Sequence, residues 1–443
     1  MVSLDNMRID ARAAFDAAVA AVQPENLIPA RVEHSRNEIL INGTPIPRPA
    51  GRRVVFAIGK AAPGMAAAWM RSAPDWATEV YVLTPHKVPV PAEIEGAVKV
   101  LRGAHPYPDA DGEASTRTLL EVADGLGDGD YLLVLVSGGG SALMAAAEEG
   151  LTLENVRATT KALLEAGATI NEVNTVRRQL LAAAGGGLAR TAHPAPVRTL
   201  ILSDVLGDPL ADIASGPTVR PTSSAADALA VFERYRLRED VPLAVRDFLQ
   251  GQASAPEDDL QWADSTITEV IGNNRTAVEA AAAELSSRGY QVAVKTDDLV
   301  GEARDRGREL AAQALAEDFD QPRAVVLGGE TTVTVTGSGR GGRNQELALA
   351  AAEEIAGTEL VVVLAGGTDG IDGLSENAGA LVDHTTHQRL QDQGIDVNAV
   401  FADNDSATAL AEVSDVISTG PTGTNVCDVT IVLTAPATEH RED

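Results

Sequence analysis

The feature that most constrains the fold of this chain is the alternation of short apolar runs with longer alanine-rich stretches. Arg53–Ile58 (RVVFAI) and Tyr131–Val136 (YLLVLV) have the length of buried strands, and residues 61–71 have helical character. This alternation predicts α/β layers around a largely parallel sheet. Further predicted strands are residues 79–84, 199–203, 267–271, 291–296, 324–327, 331–336, 360–364 and 429–433.

A boundary is predicted between two series of strands. The chain has 443 residues, enough for two or three domains. Residues 220–262 hold no glycine-rich functional loop, and the stretch 251–259 (GQASAPEDD) is small and polar. We therefore predict two domains, residues 1–255 and residues 256–443.

The charge balance excludes whole classes of function. Asp and Glu number 64 against 35 Lys and Arg, which gives a net charge of -29. Such a field repels nucleic acid and anionic membranes, so neither is an expected partner. Only five of the 35 basic residues are lysines. An acidic, lysine-poor composition favours a halophilic protein that unfolds when salt is removed, although a generally acidic mesophilic protein has a similar composition.

Targeting and redox features are sparse. The single cysteine, Cys427, excludes an intrachain disulfide and a cysteine-rich metal site. No apolar run reaches the length of a membrane span, and the first ten residues lack the pattern of a signal peptide. The prediction is a cytoplasmic protein.

Two glycine-containing loops follow the strongest predicted strands, where an open parallel sheet binds its ligands. Lys60, in GKAAPG, can direct its ammonium group at a phosphate. Three consecutive glycines after the second strand let the backbone wrap around an anion, with N–H groups of a following helix beside them. The predicted anion-binding residues are Ser137, Gly138, Gly139, Gly140 and Ser141. An exposed lysine and a tight turn are the alternatives.

Two carboxylates four residues apart follow the predicted strand 199–203. Asp204 and Asp208 suit Mg²⁺, which prefers oxygen ligands, and one of them could instead accept the proton of an attacking hydroxyl. Capping of a helix by aspartate is the alternative.

Glycine-rich loops also follow strands of the second series, at residues 328–331, 337–346 and 366–373. Arg343 lies in GSGRGGRNQE beside a predicted helix start, which suits a carboxylate or a phosphoryl group in transfer. A flexible surface loop is the alternative. The segment GTDGIDG forms an acidic turn that could hold a metal, without regular ligand spacing.

A polar helix face and one histidine complete the candidates. In residues 169–180, Asn174 and Arg178 share a face with Asn171, and Arg177 lies beside it. This face could hold a small anionic substrate or could simply be solvated. His105, in GAHPYP, is ambiguous, because a lone histidine in a proline-rich loop is more often structural than catalytic.

Taken together, these segments resemble the class II glycerate kinases, the glycerate 2-kinase family whose C-terminal half is called the MOFRL domain. The matching segments lie between about residues 54 and 434 and are AIGKAAPGM, GAHPYPDADG, VSGGGSAL, INEVNTVRRQLL, LSDVLGDPLADIASGPT, GGETTVTVTGSGRGGRNQELAL, AGGTDGIDG and GPTGTNVCDV. The resemblance implies a Rossmann-like N-terminal domain with a parallel sheet, an α/β C-terminal domain of MOFRL type, and an active site in the cleft between them.

The resemblance further implies phosphorylation of D-glycerate by ATP and Mg²⁺, commonly at the 2-hydroxyl, with Lys60 and Arg343 in the active site. Residues 137–141 and Lys60 would hold phosphate oxygens, and Asp204 or Asp208 would bind Mg²⁺ or act as base. Arg343 would stabilise the transferred group or hold the substrate carboxylate, for which Asn174 and Arg177 are further candidates. The position of phosphorylation, the domain that binds the nucleotide and the choice between monomer and homodimer stay open.

Two other functions compete with phosphoryl transfer. The family has also been labelled hydroxypyruvate reductase, but no G-x-G-x-x-G follows the first predicted strand of this chain to bind NAD(P)H. A non-catalytic module that binds sugar phosphates would need the glycine run alone, and it would not need paired carboxylates and a second glycine–arginine loop.

Overall fold

The computed structural model describes residues 3–34, 38–46, 48–254, 260–316, 320–358 and 360–436. They form two compact units. The parallel-sheet unit is Pro24–Ile271, and the mixed-sheet unit combines Met1–Gln23 with Gly272–Asp443. The boundary that we predicted, between residues 255 and 256, lies outside the described residues. The two units also differ from the predicted domains in where residues 1–23 and residues 260–271 belong.

The parallel-sheet unit has nine strands and nine helices in its described residues. The strands are β1 (Val32–His34), β2 (Ile39–Ile41), β3 (Thr44–Ile46), β4 (Arg53–Ile58), β5 (Glu79–Pro85), β6 (Lys99–Gly103), β7 (Tyr131–Val136), β8 (Val197–Leu202) and β9 (Thr266–Gly272). With α1 (Leu4–Ala21) assigned to the other unit, the helices are α2 (Pro24–Leu27), α3 (Ala62–Ser72), α4 (Ala110–Asp124), α5 (Gly140–Leu143), α6 (Leu153–Glu165), α7 (Ile170–Leu180), α8 (Gly187–Ala192), α9 (Ala225–Tyr235) and α10 (Leu243–Ala253). Two 3-10 turns, Ile213–Ser215 and Leu260–Ser265, complete it.

Six strands of this unit form one sheet in the order β6-β5-β4-β7-β8-β9. The pairs from β6 to β8 are all parallel. Counted along the chain from β4, the order is 3-2-1-4-5-6, which is that of the Rossmann fold and reverses between β4 and β7. All six residues of β7 are buried, as expected of a strand in the middle of a sheet covered by helices. The predicted parallel α/β layer is therefore present here.

The mixed-sheet unit begins with α1, which packs on the helix α11 (Asn274–Ser287). Its other helices are α12 (Ala303–Ala316), α13 (Arg343–Glu354), α14 (Thr386–Asp392), α15 (Val397–Asp403) and α16 (Ser406–Glu412). Its strands are β10 (Gln291–Leu299), β11 (Arg323–Gly329), β12 (Val361–Gly367), β13 (Gly379–Asp383), β14 (Val416–Ile417) and β15 (Asp428–Thr434). Residues 1–23 belong here because the apolar face of α1 is buried against this unit. Phe15, for example, is fully buried, and a Cβ at Gly366 would lie 2.7 Å from its ring.

The second sheet has the order β10-β11-β15-β12-β13-β14. Only β10 and β11 pair in parallel among its described pairs, and β15 runs antiparallel between β11 and β12. Our expectation of a largely parallel sheet was thus wrong for this unit. The antiparallel direction has a consequence for the site, because the first residue of β15 meets the carboxyl ends of β11 and β12.

Two strand predictions need correction. Residues 331–336 form no strand. Thr332 makes an isolated bridge to Glu302, and two of the amides that follow bond to side chains instead, Thr334 N to Glu302 and Thr336 N to Asn404. The strand predicted at 267–271 is present, but it lies at the edge of the first sheet and not in the second series. In the described part of the chain no helix is both long and apolar enough to cross a bilayer.

Candidate active site

The loops that leave β4 and β7 meet where the strand order of the parallel sheet reverses. The backbone N–H of Lys60 donates to the carbonyl oxygen of Gly138 at 2.9 Å. The N–H of Ala61 donates to Oγ of Ser137 at 3.0 Å. Two segments that the sequence singled out separately therefore form one surface. We call residues 137–141 the glycine loop.

Asp204, from the loop after β8, lies directly against the glycine loop. A Cβ at Gly138 would lie 1.9 Å from Oδ2 of Asp204, closer than any side chain allows. Glycine at position 138 is thus what lets this half-buried carboxylate approach the anion-binding candidates.

The glycine loop does not have the helix that we expected behind it. The helix α5 is a single four-residue turn, so its dipole gives no basis for anion binding. The backbone itself is more informative. Within the described residues, no backbone–backbone hydrogen bond takes its donor from Gly139, Gly140 or Ser141. These three amides remain available to a ligand.

A histidine that the sequence left ambiguous also lies at this surface. A Cβ at Gly139 would lie 3.0 Å from Cδ2 and 3.3 Å from Nε2 of His105, and 3.4 Å from Cγ of Lys60. Although His105 is exposed, desolvation of its ring and, secondarily, repulsion by the Lys60 ammonium lower its pKa to about 4. The sequence left the role of His105 open, because local sequence does not show what a loop packs against.

The polar face of α7 divides into two parts. Nη2 of Arg177 donates to the carbonyl oxygen of Ser141 at 3.0 Å, and burial lowers the pKa of Arg177. Asn174 instead donates to Asp212 at 3.3 Å, and the buried Arg178 pairs with the same carboxylate at 2.7 Å. Arg177 therefore reaches the glycine loop, whereas Asn174 and Arg178 are engaged in an internal network.

Asp208, the predicted metal ligand, lies in the turn that follows Asp204. Its backbone has a φ of 51°, and its N–H donates to Val205 O. It belongs to no group of three His, Cys, Asp or Glu side chains with metal-ligand spacing in the described residues. The group that has this spacing is the largely exposed set His86, Asp109 and Asp111.

Arg343 begins α13 in the mixed-sheet unit and is held by two carboxylates. Its Nε and Nη2 donate to the two oxygens of Asp428 at 2.5 and 2.9 Å, and its Nη1 lies 2.6 Å from Glu330. Burial opposes the charged form, but the bonds and charge of Asp428, together with Glu330, raise the pKa of Arg343. Asp428 is fully buried, at the start of β15. The sequence did not indicate these partners, because they depend on the antiparallel direction of β15.

In the acidic turn 366–373, Asp372 has a structural role, because it binds backbone amides of the helix α13. This buried carboxylate accepts hydrogen bonds from the backbone N–H groups of Asn344 and Gln345 at 3.1 and 2.8 Å. Burial raises the pKa of Asp372 to about 7, and these two bonds oppose the rise. The metal role considered for this turn is therefore not supported at Asp372, whose oxygens are engaged in holding the first turn of α13.

Lys60 and Arg343 belong to different compact units. The expectation of one active site in a cleft between two domains accordingly stays a prediction.

Comparison with known proteins gives the family. Residues 10–250 match the model described as Domain of unknown function (DUF4147), and residues 323–428 match the MOFRL family. Glycerate 2-kinase of Pyrococcus horikoshii is 36% identical, over 98% of this chain and 98% of its own. The solved structure of glycerate kinase from Thermotoga maritima superposes with a TM-score of 0.85 at 34% identity, covering 97% of this chain and 100% of that one.

A third relative has a different name. A putative hydroxypyruvate reductase of Agrobacterium vitis is 40% identical, over 95% of this chain and 93% of its own. The chain belongs to the glycerate kinase family, and the resemblance drawn from the motifs is confirmed.

Proposed function

We propose that this chain transfers the γ-phosphoryl group of ATP to D-glycerate, at the 2-hydroxyl. The observation that supports this most strongly is the pair of cations at the glycine loop. Lys60 and Arg177 both touch this loop, and within the described residues neither forms an ion pair with a carboxylate. In a chain with a net charge of -29, two such cations beside free backbone amides favour an anionic ligand.

The phosphate groups of ATP are the ligand that we assign to the glycine loop. Amides of Gly139, Gly140 and Ser141 would donate to phosphate oxygens, and the Lys60 ammonium would neutralise charge that moves during transfer. The reversal of strand order between β4 and β7 supports this placement, because open α/β sheets bind ligands at that point.

Mg²⁺ fits the carboxylate that adjoins this loop. Asp204 offers oxygen ligands next to Gly138, where phosphate oxygens would complete the coordination that Mg²⁺ prefers. Asp208, from the same loop, is the further ligand in our proposal. When bound, the ion would supply charge neutralisation at the phosphates. The proposal leaves either Asp204 or Asp208 to accept the proton of the attacking hydroxyl.

The substrate carboxylate needs a cation of its own. Arg177 is the stronger candidate, because Asn174, the other residue proposed from the sequence, already donates to Asp212. Arg343 would stabilise the transferred group or hold the carboxylate. Its Nη1 and Nη2 each keep one N–H beyond those that bind Asp428 and Glu330.

The test is incubation of the protein with ATP, Mg²⁺ and D-glycerate in high salt, followed by phosphorus NMR of the product. We expect ADP and 2-phosphoglycerate. A signal of 3-phosphoglycerate would reject transfer to the 2-hydroxyl but would still support glycerate kinase activity. ATP left intact, with oxidation of NADH in the presence of hydroxypyruvate, would reject the kinase in favour of the reductase that one relative's name indicates.

A further inference from the structure

His105 lies at the centre of three loops that meet beyond the carboxyl end of the parallel sheet. It follows β6, and the edge of its ring that holds Cδ2 and Nε2 lies over Gly139. A left-handed φ of 86° at Gly139, together with the missing side chain, makes room for this ring. A Cβ at position 139 would lie 3.0 Å from Cδ2, so that the imidazole would have to shift by a few tenths of an ångström.

The ring is neutral near neutral pH. The charged group that faces it from the β4 loop is Lys60, and the glycine loop itself contributes no ionisable side chain. Asp109, four residues along its own loop, is directed at His86 and at the amides of Ala104 and Gly112. A neutral imidazole can donate one hydrogen bond without adding a charge that would repel the lysine.

We propose that His105 is a further ligand-contacting residue of this site, whose Nε2–H donates a hydrogen bond to a phosphate oxygen held by Lys60 and the glycine loop. The phosphate is that of ATP, so this inference rests on the proposed function. The hydrogen bond adds a directional contact beside the point charge of the ammonium, and it fixes the orientation of the phosphate against the loop.

Kinetics of four variants test the contact. The amide nitrogen of glutamine can take the place of Nε2, whereas that of asparagine is too short to reach it. We expect His105→Ala and His105→Asn to raise the KM for ATP about ten-fold, with a smaller change in kcat, and His105→Gln to stay within about three-fold of wild type. His86→Gln, at an exposed histidine paired with Asp109, is the matched control and should leave both constants unchanged. An equal rise of the KM for ATP in all three His105 variants would overturn the proposal. Wild-type kinetics in His105→Ala would overturn it as well.

A binding measurement separates this inference from the proposed function. Imidazole signals of His105, assigned by their loss in His105→Gln, should shift when inorganic pyrophosphate is added, and those of His86 should not. Lys60→Met should raise the pKa of His105, because a repelling charge is removed. If the wild-type protein phosphorylates no glycerate but the His105 signals still shift, the proposed function fails and the contact stands. Signals that do not move at saturating pyrophosphate would refute the contact itself.

Discussion

Lys60 and Arg343 are both cations in glycine-rich loops that adjoin a sheet, yet their surroundings are opposite. Lys60 lies beside open backbone amides and forms no ion pair within the described residues. Arg343 is bound by Asp428 through two hydrogen bonds and by Glu330 through a third contact. The comparison teaches that similar sequence patterns give different electrostatics. The first region is arranged to receive a negative charge, whereas the second has more negative than positive charge of its own.

The largest expected effect is on turnover at the first region. We expect Lys60→Ala to lower kcat by about a hundred- to a thousand-fold, because an ammonium group that stabilises transferred charge is lost. Folding should be unchanged, since no partner is left with an uncompensated charge. Steady-state kinetics with far-UV circular dichroism on the same samples would measure both, and full turnover would remove Lys60 from the site.

The second expected effect is on stability. Here the larger loss is expected at Arg343, in the second region, and not at Lys60. Arg343→Met should lower the free energy of unfolding by about 3 kcal/mol, because it leaves the fully buried Asp428 without its partner. Lys60→Met should change it by no more than about 0.5 kcal/mol. Denaturant titrations of the two variants in the same high-salt buffer would measure the contrast. Equal losses of unfolding free energy in the two variants would contradict the contrast between a paired Arg343 and a Lys60 without an ion pair in the described residues.

A smaller effect is expected at the approach of Asp204 to the glycine loop. Gly138→Ala should lower kcat about ten-fold and stability by about 1 to 2 kcal/mol, because the new methyl group displaces the carboxylate. Gly129→Ala is the matched control, since no atom lies within 4 Å of a Cβ there. A Gly138→Ala enzyme with normal kinetics would show that the position of Asp204 is unimportant.

The last expected effect concerns pH and leaves turnover at the first region unchanged, since it lies in the mixed-sheet unit. The pKa of Asp372 is raised from 3.8 to about 7, so its protonated form stabilises the folded state at low pH. That contribution is fully present below pH 3.8 and is lost as pH rises from there to about 7, with a slope of about 1.4 kcal/mol per pH unit at most. Asp372→Asn should remove this slope between pH 4 and 7, whereas Asp111→Asn, at an exposed carboxylate, should not. Unfolding curves at several pH values would decide, and an unchanged slope in Asp372→Asn would contradict the burial argument.

The sequence predicted the parts of this structure that depend on local pattern. Continuous apolar runs located β4 and β7 at the bounds that the structure has. The rule that ligands bind beyond parallel strands singled out Lys60 and the glycine loop, which the structure places together. These successes share one cause, because strand length and the loop that follows are encoded in adjacent residues.

What the sequence did not predict depends on contacts between distant segments. Asp428 is 85 residues from Arg343 along the chain. The antiparallel direction of β15 brings them together, and the apolar sequence of that strand does not indicate its direction. His105 reaches the glycine loop only because β6 and β7 belong to one sheet. Helix α1 is amphipathic in sequence, but nothing local identifies which unit covers its apolar face.

The most direct test of the central claim is a crystal structure of the protein with Mg²⁺ and a non-hydrolysable ATP analogue in high salt. We expect phosphate oxygens within hydrogen-bonding distance of Lys60 Nζ and of the amides of Gly139, Gly140 and Ser141. A triphosphate bound away from all four of these groups would contradict the assignment of the glycine loop.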